Sequence, residues 1–430
     1  MKNKKETLLI LTMLITISII IFNRDKLYEA KYIEPKDTLL AITINGEIST
    51  TFPTTSAYET SVECTNGTGK VEWNGSKWIL TTSGITKGST KCNATFITKV
   101  PTFAETILAK NEVKVPITTP GAAISTASEA LLASTEDDYG TSYYFRGAVT
   151  NNYVEFANKC WRIVRVGGDG SVKLILHNDN PTGAANPCDA ANNSASAAFA
   201  RYSGETYKSA FNTNYNDNAY VGFKYGTVGA GDYALTHANT NKSTILTNLE
   251  AWYEKNNLKN YEKVIADTVW CNDKTNVTDT TFNPYNYSNV NGLGYAKNVT
   301  YYGATQRLVG TSGSAGGTGP SLKCNGELSK TNSKVGLITA DELALAGYAY
   351  GLQNSTTYLQ ENATDTYWWS LSPYFFYGAG ASVWYVIGSN GYFGGNYVFL
   401  TYGVRPSISL KSTTNVTGNG TSDSPFIISM

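Results

Sequence analysis

The pattern that decides the fold lies in residues 367–406, YWWSLSPYFFYGAGASVWYVIGSNGYFGGNYVFLTYGVRP. Aromatic and β-branched side chains dominate this stretch and glycine-rich turns interrupt it, as is typical of β-strands joined by tight loops. In the segment from Val383 to Ile387 both alternating faces are apolar, which predicts a buried central strand. The stretch therefore predicts a sheet with an aromatic core.

The same aromatic side chains are candidates for a ligand-binding surface. Aromatic rings bind the apolar C–H faces of sugars, while amide groups fix the sugar hydroxyls. We therefore predict ligand contacts from a set of exposed aromatic and amide side chains: Trp368, Trp369, Tyr374, Tyr377, Tyr392, Asn396 and Tyr397. Burial in the strand core is the alternative for each aromatic residue of this set, and the sequence leaves both interpretations open.

A single arginine, Arg405, stands before Pro406 in the otherwise apolar end of this stretch. A buried guanidinium needs a carboxylate or several carbonyl oxygens as partners. We predict a structural ion pair for Arg405, and a ligand contact is the alternative.

The N-terminal half of the chain predicts a small domain followed by a linker. Short strands separated by turn dipeptides such as Asn45-Gly46 predict a small Ig-like β-sandwich over residues 38–100. Residues 101–135, punctuated by prolines and weakly periodic, predict a linker with a short helix over 122–133.

The remainder predicts a larger α+β domain over residues 136–412, so that the whole chain is a β-rich α+β protein. Its strongest helical pattern begins at a cap residue, Ser243 or Thr244, and places Leu249 and Trp252 on one face. Residues 413–430 are expected to form a tail strand.

The six cysteines form an even set, which in an exported chain predicts disulfide bonds. Because a bridge normally joins elements of one domain, we predict the pairs Cys64–Cys92, Cys160–Cys188 and Cys271–Cys324. A zinc site would need closely spaced Cys or His ligands, and the sequence has no such spacing. We therefore predict no metal site, no cofactor and no catalytic residue.

The chain begins with Lys2, Lys4 and Lys5, and an uncharged apolar run follows over residues 8–22. This pattern is an export signal, and bulky residues occupy the place where a cleavage site would lie. We therefore expect residues 1–34 to form a cytoplasmic tip and a signal-anchor helix. The expected location is the cell membrane, crossed once with the N-terminus inside and the bulk outside; cleavage would instead give a secreted protein.

Charge excludes one class of partner. Thirty-four basic residues balance thirty-four acidic residues, and only 16% of residues are charged. Such a chain has no basic field to attract a polyanion, so we expect no nucleic-acid partner.

Several motifs occur together in this order: YYFRG at 143–147, CWRIVR at 160–165, WCND at 270–273, GLITADE at 336–342, YWWSLSP at 367–373 and YGVRP at 402–406. On these motifs the chain resembles a family of surface proteins from Gram-positive gut bacteria, over roughly residues 135–430. The Cys-containing sandwich also resembles a module that accompanies this domain. More distantly, the Trp-rich strand followed by Gly-Val-Arg-Pro is similar to the C-type-lectin-like superfamily, which includes the formylglycine-generating enzymes.

Two departures limit what these resemblances imply. The calcium-dependent sugar motif of C-type lectins is missing, and no cysteine follows Cys324 to match the active site of the formylglycine-generating enzymes. Because the sequence shows no nucleophile with an activating base, we predict a non-catalytic surface binding or adhesion protein, with a host or cell-wall glycan or a surface protein as partner. An enzyme of the formylglycine-generating or carbohydrate-active type and a structural envelope protein are the alternatives.

Overall fold

The structure, a computed structural model, describes residues 31–32, 39–287, 292–378 and 380–429. Strands make up 35% and helices 13% of the chain, which confirms a β-rich α+β protein. The chain divides into two compact units, residues 1–100 and 101–430. The predicted anchor helix lies outside the described residues. Within the described ranges, no helix combines the length and apolar character that a membrane crossing requires.

The described residues of the first unit form seven strands: β1 (Lys31–Tyr32), β2 (Leu39–Ile44), β3 (Glu47–Ser49), β4 (Tyr58–Cys64), β5 (Thr68–Trp73), β6 (Trp78–Ser83) and β7 (Lys91–Thr98). One sheet has the order β1-β2-β7-β4, with β3 paired to β2, and β5 and β6 form a second sheet. Asn45 and Gly46 both have positive φ angles, 50° and 88°, as a tight hairpin turn requires. The predicted Asn-Gly hairpin is therefore confirmed between β2 and β3.

The two sheets of the first unit enclose one small core. Leu40 and Phe96 are buried, and the Trp78 ring packs edge-on against Phe96 with ring centroids 5.2 Å apart. The predicted bridge between Cys64 and Cys92 joins the neighbouring strands β4 and β7. Because about sixty residues bury little apolar area, this bridge carries a large share of the unit's stability.

We predict that replacing both Cys64 and Cys92 by Ser lowers the free energy of unfolding of the first unit by about 3.5 kcal/mol, because the unfolded chain loses a constraint. Hydrogen exchange of peptides from β4 and β7, followed by mass spectrometry on the full chain, measures the change. The matched control removes Cys160–Cys188, a bridge with the same sequence separation of 28 residues in the second unit. Unchanged protection of β4 and β7 in the first variant would contradict the prediction.

In the part of the second unit that the structure describes there are eighteen strands: β8 (Ala130–Asp137), β9 (Gly140–Gly147), β10 (Tyr153–Phe156), β11 (Lys159–Val166), β12 (Val172–Asn178), β13 (Lys208–Ala210), β14 (Lys224–Tyr225), β15 (Asn241–Lys242), β16 (Thr268–Cys271), β17 (Thr300–Tyr301), β18 (Lys330–Ser333), β19 (Trp368–Tyr377), β20 (Gly380–Val386), β21 (Phe393–Tyr397), β22 (Thr401–Gly403), β23 (Ser407–Leu410), β24 (Val416–Thr417) and β25 (Phe426–Ile428). Its α-helices are α1 (Phe103–Lys110), α2 (Tyr233–His237), α3 (Thr244–Lys255), α4 (Gly303–Leu308) and α5 (Ala340–Ala346).

Two sheets organise the second unit. An eight-stranded sheet has the order β23-β12-β11-β10-β25-β24, with β9 paired to β11 and β8 paired to β9. A six-stranded sheet has the order β13-β22-β19-β20-β21, with β17 paired to β19. We call the first the long sheet and the second the aromatic sheet. The chain passes from the aromatic sheet to the long sheet between β22 and β23, through Arg405.

The helix predicted from the 3.6-residue pattern is confirmed as α3. Ser243 caps it by accepting a hydrogen bond from the backbone N–H of Leu246, and Leu249 and Trp252 are buried. The bridges Cys160–Cys188 and Cys271–Cys324 are also formed as predicted.

The linker predicted over 101–135 is wrong, because these residues belong to the second unit. Phe103 is buried and packs edge-on against Phe426, with ring centroids 5.2 Å apart. Thr102 and Glu105 form a reciprocal capping box at the start of α1, a signal that the sequence carried.

The helix predicted over 122–133 is also wrong, since 130–137 form strand β8. Leu131, Leu132 and Ala133 are buried there, so pairing with β9 outweighs the helix propensity of the alanines. The predicted tail, 413–430, is likewise part of the second unit, because β25 pairs with β10 inside the long sheet.

Candidate functional site

The aromatic sheet has an unusual composition. From Tyr367 to Val404 the sequence contains no Asp, Glu, Lys, Arg or His. Strands β19 and β20 pair along most of their length, with Trp368 opposite Val386 and Trp369 opposite Tyr385. Because successive residues of a strand point to opposite faces, Trp368 and Trp369 belong to different sides of the sheet.

The inner side of the aromatic sheet faces the hydrophobic core of the second unit. Trp368 is 0% exposed, and the Tyr374 hydroxyl lies 2.5 Å from that of Tyr285 and donates to that of Tyr350 at 3.2 Å. Tyr374 also covers the backbone of Gly395, where a β-carbon would lie 1.9 Å from a ring carbon. The prediction that Trp368 and Tyr374 contact a ligand is therefore wrong, because both side chains are used in packing.

Trp369 forms the floor of the outer side. Its side chain is 1% exposed, and its indole N–H donates to the carbonyl oxygen of Ser209 at 2.9 Å. The Tyr402 ring covers it at a centroid distance of 4.5 Å. Trp369 is thus a support beneath the surface, which corrects the prediction that it contacts a ligand directly.

Above this floor three tyrosine rings lie together. The ring centroids of Tyr367 and Tyr402 are 5.0 Å apart, those of Tyr367 and Tyr385 are 5.6 Å apart, and those of Tyr385 and Tyr402 are 5.7 Å apart. Tyr367 is 37% exposed, Tyr402 is half-buried, and Tyr385 is 7% exposed. The rings therefore form a surface that is open at Tyr367 and anchored at Tyr385.

Asn396 in strand β21 and Tyr392, the residue before that strand, complete this surface, and both are half-buried. A β-carbon on Gly394 would lie 3.0 Å from the Tyr392 ring and 3.7 Å from the Tyr385 ring, so both rings lie over this glycine. Asn396 faces the same side and donates its amide N–H to the Tyr402 hydroxyl at 2.8 Å. We call this surface the tyrosine patch: Tyr367, Tyr385, Tyr392, Asn396 and Tyr402.

The polar groups of the tyrosine patch are neutral. Burial raises the pKa of Tyr402 to about 12, and burial together with neighbouring Tyr392 raises the pKa of Tyr385 further. Burial also raises the pKa of Tyr392. The hydroxyls of Tyr385, Tyr392 and Tyr402 therefore keep their protons at physiological pH and serve as both hydrogen-bond donors and acceptors.

The other two predicted contact residues lie elsewhere. Tyr397 points to the opposite side of β21 from Asn396 and stacks on Phe399, with ring centroids 5.8 Å apart. Tyr377 is exposed and stacks on Tyr287 at 3.6 Å. Of the seven predicted contact residues, the structure brings only Tyr392 and Asn396 into the tyrosine patch.

Three patch residues were not among the predicted contacts: Tyr367, Tyr385 and Tyr402. Tyr367 stands two positions before Trp369, so period-two alternation already placed it on the side of that residue. The positions of Tyr385 and Tyr402 depend on strand pairing, which no local pattern specifies.

Arg405 is buried but has no ion pair among the described residues. Its Nε donates to the carbonyl oxygen of Leu176 at 3.0 Å, and its Nη1 donates to that of Leu359. Its guanidinium also lies 5.0 Å from the centre of the Trp368 ring. The predicted ion pair is therefore replaced by carbonyl oxygens and a cation–π contact.

A small cleft elsewhere in the second unit, about 60 Å³ in volume, is lined by ionised side chains. Glu342 accepts hydrogen bonds from Arg165 at 2.9 Å and from Lys173 at 2.6 Å. Arg165 also binds Asp137 at 3.0 Å. Because each of these carboxylates holds a cation, the network fixes β11 and β12 to α5 and stabilises the fold.

Comparisons of the chain with protein-family models, with curated proteins and with solved structures found no match. The function therefore has to be inferred from the chemistry of the tyrosine patch.

We predict that Glu342→Gln changes how stability depends on pH. Burial alone would raise the pKa of Glu342, but Lys173 and Arg165 overcome this effect and lower it to about 2. The ionised carboxylate therefore stabilises the fold above about pH 4.5, and this stabilisation is lost as the pH falls towards 2. At pH 7 the variant should be less stable by on the order of 3 kcal/mol, and the difference should vanish near pH 2.

Urea denaturation at a series of pH values measures this difference. Glu205→Gln is the matched control, because the Glu205 side chain is 90% exposed and its pairing with Arg201 is screened by solvent. A constant difference between wild type and Glu342→Gln across this pH range would show that the carboxylate charge is not the source of the stabilisation.

Proposed function

We propose that the chain is an extracellular surface protein whose tyrosine patch binds a glycan, without catalysing a reaction. The observation that carries the proposal is the group of three tyrosine rings, Tyr367, Tyr385 and Tyr402, on the outer side of the aromatic sheet. Clustered aromatic rings at a protein surface, here open to solvent at Tyr367, are typical of a site that contacts a partner.

The chemistry of the tyrosine patch suits a sugar. A pyranose ring has an apolar C–H face and a rim of hydroxyls, and a tyrosine has an apolar body and a polar tip. A ring resting on Tyr367 would reach the hydroxyl of Tyr402 and the amide of Asn396, which already form a hydrogen bond with each other. The pair thus presents a pre-organised polar group beside an apolar face, which lowers the entropy cost of binding.

The proposed location follows from the cysteines and the N-terminus. Three disulfides suit an oxidising compartment outside the cytoplasm. The apolar run over residues 8–22 supports export, and as an uncleaved anchor it would hold the protein to the cell membrane. Host or cell-wall glycans, or a surface protein that carries them, are then the accessible partners.

The finer fold and family assignments are also proposals. We propose an Ig-like relationship for the first unit, supported by its two packed sheets and its Cys64–Cys92 bridge. For the second unit we propose a C-type-lectin-like relationship, supported by the Trp-rich strand β19 and the later Gly-Val-Arg-Pro segment. The ordered motifs support membership of the family of Gram-positive surface proteins that the sequence resembles.

We predict that Tyr367→Ala weakens glycan binding about fivefold to tenfold, because one ring contact of about 1 kcal/mol or slightly more is lost. Asn396→Ala should weaken binding by a similar factor, since a hydrogen bond to a neutral partner is worth about 1 kcal/mol. A glycan array with the full chain identifies the ligand, and isothermal titration calorimetry measures the affinities.

Tyr139→Ala is the matched control for this experiment, because Tyr139 is 65% exposed and lies in the turn between β8 and β9, outside the tyrosine patch. Its affinity should equal that of the wild type. If Tyr367→Ala and Asn396→Ala bind the identified glycan as tightly as Tyr139→Ala does, the ligand does not contact the tyrosine patch.

A further inference from the structure

We infer that the ligand of the tyrosine patch is an uncharged glycan, built from neutral hexose or N-acetylhexosamine rings. This inference rests on the proposed function and names the chemical class that the same site accepts. Its basis is the uncharged run from Tyr367 to Val404, which supplies every residue of the tyrosine patch and the Trp369 floor beneath it.

The charged residues that adjoin this run do not offer a free charge to a ligand. Asp365, two residues before the run begins, forms an ion pair with Lys208 at 3.3 Å and accepts a hydrogen bond from the Tyr207 hydroxyl at 2.8 Å. Arg405, immediately after the run, is buried and donates to backbone carbonyls. The charge before the run is thus paired, and the charge after it is buried.

Binding of an anionic sugar has requirements that these residues do not meet. A carboxylate or sulfate that leaves water is held most strongly by a cation, and proteins supply arginine or lysine for this purpose. The tyrosine patch offers phenol hydroxyls and one amide but no cation, and one N–H of the Asn396 amide already donates to Tyr402. An anionic group beside the rings would therefore lose hydration without gaining a counter-charge.

Neutral sugars, by contrast, match the groups that the tyrosine patch offers. Their hydroxyl and acetamido groups both donate and accept hydrogen bonds, and so do the protonated tyrosine hydroxyls. Their C–H faces remove apolar ring surface from water without displacing a strongly hydrated charge. Because no ion pair forms on binding, the affinity should depend little on salt.

The test uses the full chain and two sets of probes. The neutral set contains laminarin, mannan and a hexamer of N-acetylglucosamine, and the anionic set contains hyaluronan, polygalacturonate and sialyllactose. Affinities are measured by calorimetry at about 50 mM and about 500 mM NaCl, because screening strengthens over this range. We expect binding within the neutral set, with less than a twofold change in Kd between the two salt concentrations, and loss of at least fivefold in Tyr367→Ala.

The other outcomes separate the inference from the proposed function. Binding of an anionic probe that weakens at high salt and is reduced by Tyr367→Ala would overturn the neutral class and leave the tyrosine patch as the glycan site. If Tyr367→Ala and Tyr139→Ala bind a probe with equal affinity, the glycan does not bind at the tyrosine patch. If none of the six probes binds to protein that circular dichroism shows to be folded, both the inference and the proposed glycan-binding function are overturned.

Discussion

The buried guanidinium of Arg405 holds the two sheets of the second unit together. It donates to the carbonyl oxygen of Leu176 in β12 of the long sheet, and it lies over the ring of Trp368 in β19 of the aromatic sheet. Burial lowers its pKa to about 10, so the group remains charged at neutral pH. A charge buried in this position depends on backbone carbonyl oxygens and on the Trp368 ring, which replace part of the hydration that it would have in water.

This constraint also decides which side of the aromatic sheet meets solvent. Because Trp368 faces Arg405, the alternation along β19 sends Trp369 to the other side, where Tyr402 covers it. Tyr385, opposite Trp369, follows it to the same side. The position of the tyrosine patch is thus a consequence of an interior contact on the opposite face of the same strand.

The sequence predicted the features that are determined by contacts between residues near one another along the chain. Local signals were sufficient for the Asn45-Gly46 hairpin and for the helix capped by Ser243, because each feature is determined within a few residues. The disulfide pairs were predictable because proximity along the chain restricts them. The β-rich class followed from composition and alternation over long stretches.

The contacts of the aromatic residues were not predictable in the same way. Register shifts in β19 between Trp369 and Pro373, and between Pro373 and Phe375, interrupt the simple alternation along this strand. A sequence of aromatic residues with no charged ones between them gives little indication of which face is solvated. Arg405 was expected to find a carboxylate, but the carbonyl oxygens of Leu176 and Leu359 accept its hydrogen bonds instead.

The two glycines of β21 leave room for aromatic rings on both faces of the aromatic sheet. Gly395 has to lack a side chain because Tyr374 packs on it from inside, and Gly394 leaves room for the Tyr392 ring on the outside. An edge strand with glycines and a neighbouring amide is also a poor template for unwanted strand pairing, and the backbone of Gly351 and Leu352 already covers its first residue, Phe393. The aromatic surface beside such an edge can therefore remain open to a ligand, because the adjacent backbone does not favour self-association.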